Sequence, residues 1–174
     1  MQHDSPSKVA RIPLSPICSP TVNRIDEVDR LLAKSSDGSN PTAEAIVDIF
    51  RDVQNVAVVG LSRDLEKPAR RVPSYLAAKG FNIIPVNPNA DRLLGKRSWP
   101  SLDDVPEALD MVLVFRPPDE ASAIVAQAAA RREKPVIWLP AGIQSPEAVE
   151  AARASGRIVV QDVCVFRMHR VLIG

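Results

Sequence analysis

The sequence predicts an α/β protein, a doubly wound sheet of five parallel strands with helices on both faces. Three observations carry this expectation. Five short runs, "NVAVVG", "FNIIPV", "DMVLVF", "PVIWLP" and "RIVVQ", are apolar throughout instead of alternating, as strands are when both faces of their sheet are covered. Helical stretches separate them, and parallel strands need such crossovers. Prolines stand at the starts of those stretches and glycines at their ends, where helix boundaries accept them.

Taken in order, residues 1 to 22 hold four prolines and four serines without a sustained period, the composition of an extended segment. "NRIDEVDRLLAK", 23 to 34, predicts a short helix capped by Asn23, with Ile25, Val28, Leu31 and Leu32 on one face. "SSDGSNP" is a linker, so 1–41 is expected to be a flexible Pro/Ser-rich arm with one short helix. The compact domain is expected over 42–174. Thr42 is a suitable N-cap for "AEAIVDIFRD", whose Ile46, Ile49 and Phe50 form a core stripe. The first strand leads to a helix from Pro68 to Lys79, closed by Gly80, and the second to a loop with a short helical piece through "SLDDVPEAL". The third strand feeds a helix capped by Asp119, the fourth a helix opened by Ser145 and Pro146 that ends at Gly156, and "RIVVQ" is the fifth. Right-handed crossovers then give a Rossmann-like sheet of expected order 3-2-1-4-5, counting these five strands alone.

Composition narrows the function. With 22 Lys and Arg against 21 Asp and Glu the net charge is +1, so overall electrostatics favours neither nucleic acid nor an anionic membrane. Two cysteines, Cys18 and Cys164, give no disulfide framework and no zinc-ligand spacing. The first twenty residues lack the apolar run of a signal peptide, and no stretch approaches a membrane span. A soluble, cytoplasmic protein is expected.

Doubly wound folds bind ligands at the carboxyl ends of their strands. The stretches to inspect are therefore "GLS", "NPN" at 87 to 89, "RPP" at 116 to 118 and "PAG" at 140 to 142. "VAVVGLSRD" has the form of a strand running into a phosphate-binding turn. Gly60 stands alone, however, with Ser62 where a dinucleotide fingerprint has its second glycine. A NAD site also wants an acid at the end of the second strand, where this chain has Val86, Asn87 and Pro88. Asp91 lies further into the loop and keeps the NAD reading open.

"VAVVGLSRD", "RRVPSYLAAKGFNIIPVNP", "LLGKRSWPSLDDVPEALDMVLVFRPP", "WLPAGI" and "VVQDVC" together resemble, in order and spacing, the blocks of the small coenzyme-A-binding proteins, which are similar to the N-terminal domain of the succinyl-CoA synthetase α subunit. The resemblance covers about 44 to 170. It implies coenzyme A, or an acyl-CoA, as the ligand, held by the turn after the first strand and the ends of the second and third. By position it implicates Gly60, Leu61, Ser62, Asn87, Pro88, Phe115, Arg116 and Pro117.

The residues themselves suit that implication. Backbone N–H groups after Gly60, the Ser62 hydroxyl and the positive end of the next helix can face a diphosphate. Coenzyme A carries a further 3′-phosphate, and Arg63, Lys67, Arg70 and Arg71 surround the turn, with Lys96, Arg97 and Arg116 on loops assigned to the same edge. Each of these is equally a candidate for a solvated surface charge. "VNP" and "RPP" either end strands or make a rigid slot for a flat base, while Trp99 and Trp138 suit core or lid positions.

No nucleophile, base and orienting acid can be brought together around His3 or His169. No catalytic residue and no metal ligand is therefore assigned. Asp162 and Cys164 follow the fifth strand, and Cys164 is either a small buried residue or a thiol near the ligand's own. The resemblance implies a non-catalytic CoA-binding, carrier or regulatory module, with an acyl-CoA enzyme as a possible partner. An NAD(P)-dependent oxidoreductase and a scaffold subunit with a vestigial pocket are the alternatives on the same fold.

Overall fold

A computed structural model describes residues 22–173 of the chain. The helices are α1 (Val22–Leu32), α2 (Ala43–Asp52), α3 (Pro68–Ala78), α4 (Pro118–Ala130), α5 (Pro146–Ala154) and α6 (Val165–Ile173). The strands are β1 (Asn55–Val59), β2 (Asn82–Val86), β3 (Arg92–Leu93), β4 (Lys96–Arg97), β5 (Met111–Val114), β6 (Val136–Leu139) and β7 (Val159–Gln161), and a single 3-10 turn spans Leu102–Asp104. Five strands form a parallel sheet, and β3 and β4 a small antiparallel hairpin. The doubly wound α/β class expected from the apolar runs is the one the chain adopts.

Alternate residues of each central strand enter two separate cores, which is why the runs are apolar throughout. Val56 and Val58 of β1, Met111 and Leu113 of β5, and Trp138 of β6 pack with α2, α3 and α6. Ala57, Val59, Val112, Val114, Ile137 and Leu139 pack with α4 and α5 on the opposite face. Trp138 is fully buried and donates its indole N–H to the Val163 carbonyl at 2.8 Å, a core role. Trp99 lies beside β2 with the Arg97 guanidinium 4.0 Å over its ring.

The strand order departs from the expected 3-2-1-4-5. The sheet runs β2-β1-β5-β6-β7, which is 2-1-3-4-5 when the five strands alone are counted. Pro85 explains the difference. A proline has no N–H to give a ladder and belongs at an edge, yet the expected order puts the second strand inside. In the structure the outer side of β2 carries no further strand at Pro85. The returning chain lies there instead, with Trp99 N–H donating to Pro85 O at 2.9 Å and Asn87 N–H donating to Trp99 O at 2.8 Å. The third strand crosses to the other flank of β1, where the Asp110 carboxylate accepts from the backbone N–H groups of Gln54 and Asn55 at 3.0 and 2.7 Å. The reversal point of the sheet, and hence its crevice, falls between β1 and β5.

Smaller differences have local causes. The helix after β5 begins on Pro118 with Pro117 as its N-cap, so Asp119 is in its first turn. Helix α1 is already helical at Val22, which puts Asn23 inside it. Helix α6 was not foreseen. Its Val165, Met168, His169 and Leu172 make one buried stripe. Thr42 does cap α2, accepting from Ala45 N–H, and Pro68 opens α3.

Residues 22–41, assigned to the arm by composition, are fastened to the sheet. Val28 is fully buried, and Arg24 Nη1 donates to the Leu172 carbonyl at 3.0 Å. The Asn40 side chain pairs with the outer edge of β7 as a strand would, its Oδ1 accepting from Gln161 N–H at 2.8 Å and its Nδ2 donating to Gln161 O at 2.9 Å. Arg153 adds an ion pair to Asp37 at 2.9 Å. Burial pushes the Asp37 carboxyl up, but Arg153 and the Ser39 N–H outweigh it and hold the group below its usual range.

Candidate functional site

The carboxyl ends of β1 and β5 meet at Gly60. Its φ of 86° is left-handed, and a Cβ there would collide with the Phe115 carbonyl and come within 2.7 Å of Arg116 Cδ. Glycine is thus required for two strand ends to touch. Gly60 N–H donates to Val86 O, and Ser62 N–H to Ala69 O at 3.2 Å. Those two N–H groups hold the turn and are not free for a ligand, contrary to the simple phosphate-turn picture. The Ser62 hydroxyl accepts from Asp64 N–H at 3.0 Å and keeps its own proton to donate.

A cleft of about 380 Å³ opens beside this turn, lined by Ser62, Arg63, Lys67, Asn87, Phe115 and Arg116 together with Gly60. Helix α3 starts here with Lys67 as N-cap and no side-chain cap. Helix α4 starts just after Arg116 with Pro117 as N-cap, also without a side-chain cap. The start of α3 therefore brings an uncapped, positive dipole end to the cleft through Lys67 and Ala69. The exposed Lys67 makes no ion pair with any described residue. Arg63 Nη2 donates to Asn89 O at 3.0 Å, which draws it over the cleft.

The remaining sequence candidates divide. Leu61 is fully buried in the core, and its carbonyl accepts from Asn87 Nδ2 at 2.9 Å. Asn87 Oδ1 accepts from Asn89 N–H at 2.8 Å. Asn87 therefore stitches the two strand-end turns together and has little left for a ligand. Pro88 lines an adjoining cleft of about 190 Å³, with Pro100, Leu102 and Ile124 on its walls. Pro117 lines neither cleft, and Arg70 and Arg71, one turn along α3, line neither. Lys96 is not at this edge. It donates to Asn82 Oδ1 at 2.6 Å, at the amino end of β2.

Sequence reasoning missed Glu120, which lies one turn after Arg116 and binds its guanidinium at the rim. The i, i+4 spacing of that pair was the available signal. It also missed an apolar cavity of about 400 Å³ that shares Lys67, Ala69 and Phe115 with the cleft. Cys164 lines that cavity. Asp162 faces elsewhere, its carboxylate accepting from Gly142 N–H and from Ser36. Burial raises Asp162, and these hydrogen bonds more than reverse the effect.

His169 is a core residue. Its Nδ1 meets the Tyr75 hydroxyl at 3.0 Å, and the rings of Phe50 and Phe81 pack edge-on against it. Burial, with Lys79 nearby, pushes its pKa down to about 4, so it is neutral at pH 7. Among the described residues no group of His, Cys, Asp and Glu could hold a metal ion, and no helix is long and apolar enough to cross a membrane. His3 and Cys18 lie outside the described residues. What the crevice offers is donors, cations and an adjoining cleft with apolar and polar walls, the means to hold a phosphorylated nucleotide.

Comparison with known proteins points the same way. Residues 54–170 match the family model described as CoA binding domain. An uncharacterized Bacillus subtilis protein, YneT, is 33% identical over 132 residues, covering 76% of this chain and 97% of its own. The ADP-forming acetate–CoA ligase II of Archaeoglobus fulgidus is 32% identical over 108 residues, 61% of this chain but only 16% of the ligase. Among solved structures, a hypothetical protein from Pyrococcus horikoshii superimposes with a TM-score of 0.74 at 32% identity, covering 81% of this chain and 97% of that one.

Proposed function

The chain belongs to the CoA-binding domain family, and from that premise we propose that it binds coenzyme A or an acyl-CoA as a non-catalytic carrier or regulatory module. The observation that carries the reading is the uncapped start of α3 beside the Gly60 turn, with Lys67, Arg63 and Arg116 lining the same cleft. The residues present fit the ligand. The Ser62 hydroxyl, the first turn of α3 and Lys67 would hold the diphosphate. Arg63 and Arg116 would hold the ribose phosphate. The proline-walled cleft beside Pro88 would take the adenine. Once bound, coenzyme A supplies a thiol for acyl transfer, and this chain's residues would position it for an acyl-CoA enzyme acting as partner.

The end of β2 argues against a dinucleotide. Asn87 occupies the place of the ribose-binding acid, and its side chain is spent on the Leu61 carbonyl and the Asn89 N–H. We take 42–174 as the ligand-binding domain, with 22–41 bracing it, in a cytoplasmic protein. Calorimetric titration with coenzyme A, dephospho-coenzyme A and NAD tests the reading. Coenzyme A should bind tightest and NAD weakest. Equal affinity for NAD would replace the reading with a nicotinamide-dependent one.

A further inference from the structure

Charge is unevenly placed along the chain. Residues 63–97 hold eight Lys and Arg against three Asp and Glu, while the whole chain is +1, so acids are in excess elsewhere. This stretch runs from the Gly60 turn through α3 and β2 to the β3–β4 hairpin. None of its eight cations forms an ion pair with a described residue. In the hairpin Arg92 and Arg97 are direct cross-strand partners, an arrangement in which like charges repel and cost stability. Neutral groups hold the hairpin cations in place of acids: Arg92 Nη2 donates to the Gly95 carbonyl at 2.7 Å, Lys96 Nζ to Asn82 Oδ1, and the Arg97 guanidinium lies on the Trp99 ring. Their charge is left uncompensated.

The Arg92–Arg97 rung is the end of the hairpin nearer the clefts. Asn89, three residues before Arg92, lines both clefts, and Pro100, three residues after Arg97, lines the one beside Pro88. Three residues span at most about 11 Å, and a charge acts through 0.1 M salt over about 10 Å. The rung is therefore within electrostatic reach of the clefts, although neither arginine lines them. Arg71, one turn along α3 from Lys67, stands likewise just outside.

We propose that the hairpin rung and the first turns of α3 form a collecting surface for a polyphosphate ligand, on which Arg71, Arg92 and Arg97 draw the nucleotide from solution toward the Gly60 cleft and raise its rate of capture without touching it once bound. This rests on the coenzyme A reading above and extends it to how the ligand arrives. Coenzyme A carries a diphosphate and a 3′-phosphate, so each fixed cation acts on several negative charges at once. Surfaces lined by one sign of charge raise association rates about ten- to a thousandfold at low salt, and charges at a rim act on the on-rate and its salt dependence. A chain of net charge +1 gains little attraction from its total charge. The local field supplies it.

The test is surface plasmon resonance on the tagged full chain, with coenzyme A as analyte at 50 and 300 mM salt. In Arg92→Gln/Arg97→Gln the association rate should fall about three- to sevenfold at 50 mM, with the dissociation rate within about twofold of wild type, and the difference should vanish at 300 mM. Arg92→Lys/Arg97→Lys keeps the charge and should keep the rate. Lys79→Gln removes a cation of the same stretch at the far end of α3, about 18 Å from Lys67 by helix rise, and should change the rate less than about 1.5-fold. A glutamine double variant that captures coenzyme A as fast as wild type at 50 mM overturns the proposal and leaves the coenzyme A reading intact. A loss confined to dissociation overturns it too, since the arginines would then be ligand contacts. So does a fall that the lysine variant shares, or one as large in Lys79→Gln, because packing or total charge would be the cause. Coenzyme A failing to bind wild type at either salt removes the coenzyme A reading, and this proposal with it.

Discussion

Arg116 and Glu120 hold each other in a bidentate pair, Nε to Oε2 at 2.8 Å and Nη2 to Oε1 at 2.7 Å, on the rim between the two clefts. Both side chains are substantially exposed, 41% and 48%, so the pair contributes little to stability. Its effect falls on the ligand, because a phosphate must compete with the carboxylate for the guanidinium. Glu120→Gln should tighten coenzyme A binding about two- to fivefold at low salt, with the gain shrinking as salt screens the cleft. Titration at two ionic strengths checks this. An affinity unchanged at both would take Arg116 out of the binding site.

Gly60→Ala should destabilise the fold by about 2 to 4 kcal/mol, the combined cost of a left-handed alanine and a Cβ forced against the neighbouring strand end. Thermal melting measures it. A variant melting with the wild type would show that the ends of β1 and β5 have room to spare.

Ser62→Ala should weaken coenzyme A by about 1 to 3 kcal/mol, the loss of a hydrogen bond to a charged group. Asp64 N–H also loses its acceptor, but at an exposed site where water replaces it. The melting temperature should fall by only a few degrees. A large loss of stability with affinity unchanged would make Ser62 a turn residue and nothing more.

His169 ties stability to pH. Its folded pKa of about 4 lies below the ordinary 6.5, so the unfolded chain takes up a proton that the folded chain refuses. Stability should be full above pH 6.5 and decline as pH falls toward 4, by about 3 kcal/mol in all. The carboxylates held low, such as Asp37 and Asp162, act in the same direction but in a lower pH window. Their contribution is complete above the unfolded carboxylate range and is lost only as pH falls through still lower values. Denaturant titrations at pH 4.5, 5.5 and 7 on wild type and His169→Gln separate the two. A slope between pH 4.5 and 6.5 that persists in the variant would assign it to another group.

Asn40→Ala should cost about 1 to 2 kcal/mol, since it strips the acceptor from Gln161 N–H and leaves Gln161 O with the Ser35 hydroxyl as its remaining side-chain donor. Chemical denaturation gives the number. A loss under about 0.5 kcal/mol, the scale of an ordinary surface change, would mean that the segment before α2 contributes little to the domain.

What the sequence made legible was local. The apolar runs located every strand of the main sheet, Thr42 and Pro68 marked helix starts, and Gly60 marked the crevice, because each depends on residues close in the chain. The strand order depends on which edge is free, and the single residue that reports it, Pro85, sits in a run otherwise suited to the interior. Lys96 lies near Arg97 in sequence yet at the opposite end of β2 from the crevice, a consequence of the β3–β4 hairpin that no charge count shows. The fastening of 22–41 rests on Asn40 meeting Gln161 across the fold, which composition alone presents as linker. The apolar cavity draws single residues from four separate elements, so no stretch of sequence contains its pattern.

The sheet also has no inviting border. On one side the chain folds back over Pro85, and on the other Asn40 takes both exposed backbone groups of Gln161 while Arg153 takes the carbonyl of Val159. Unpaired edges are where chains template one another into swapped dimers and fibrils. With those positions occupied from within, growth of the sheet from one molecule into the next is obstructed at both ends. Association with a like copy or with an enzyme is then left to helical faces and loops, which can part again.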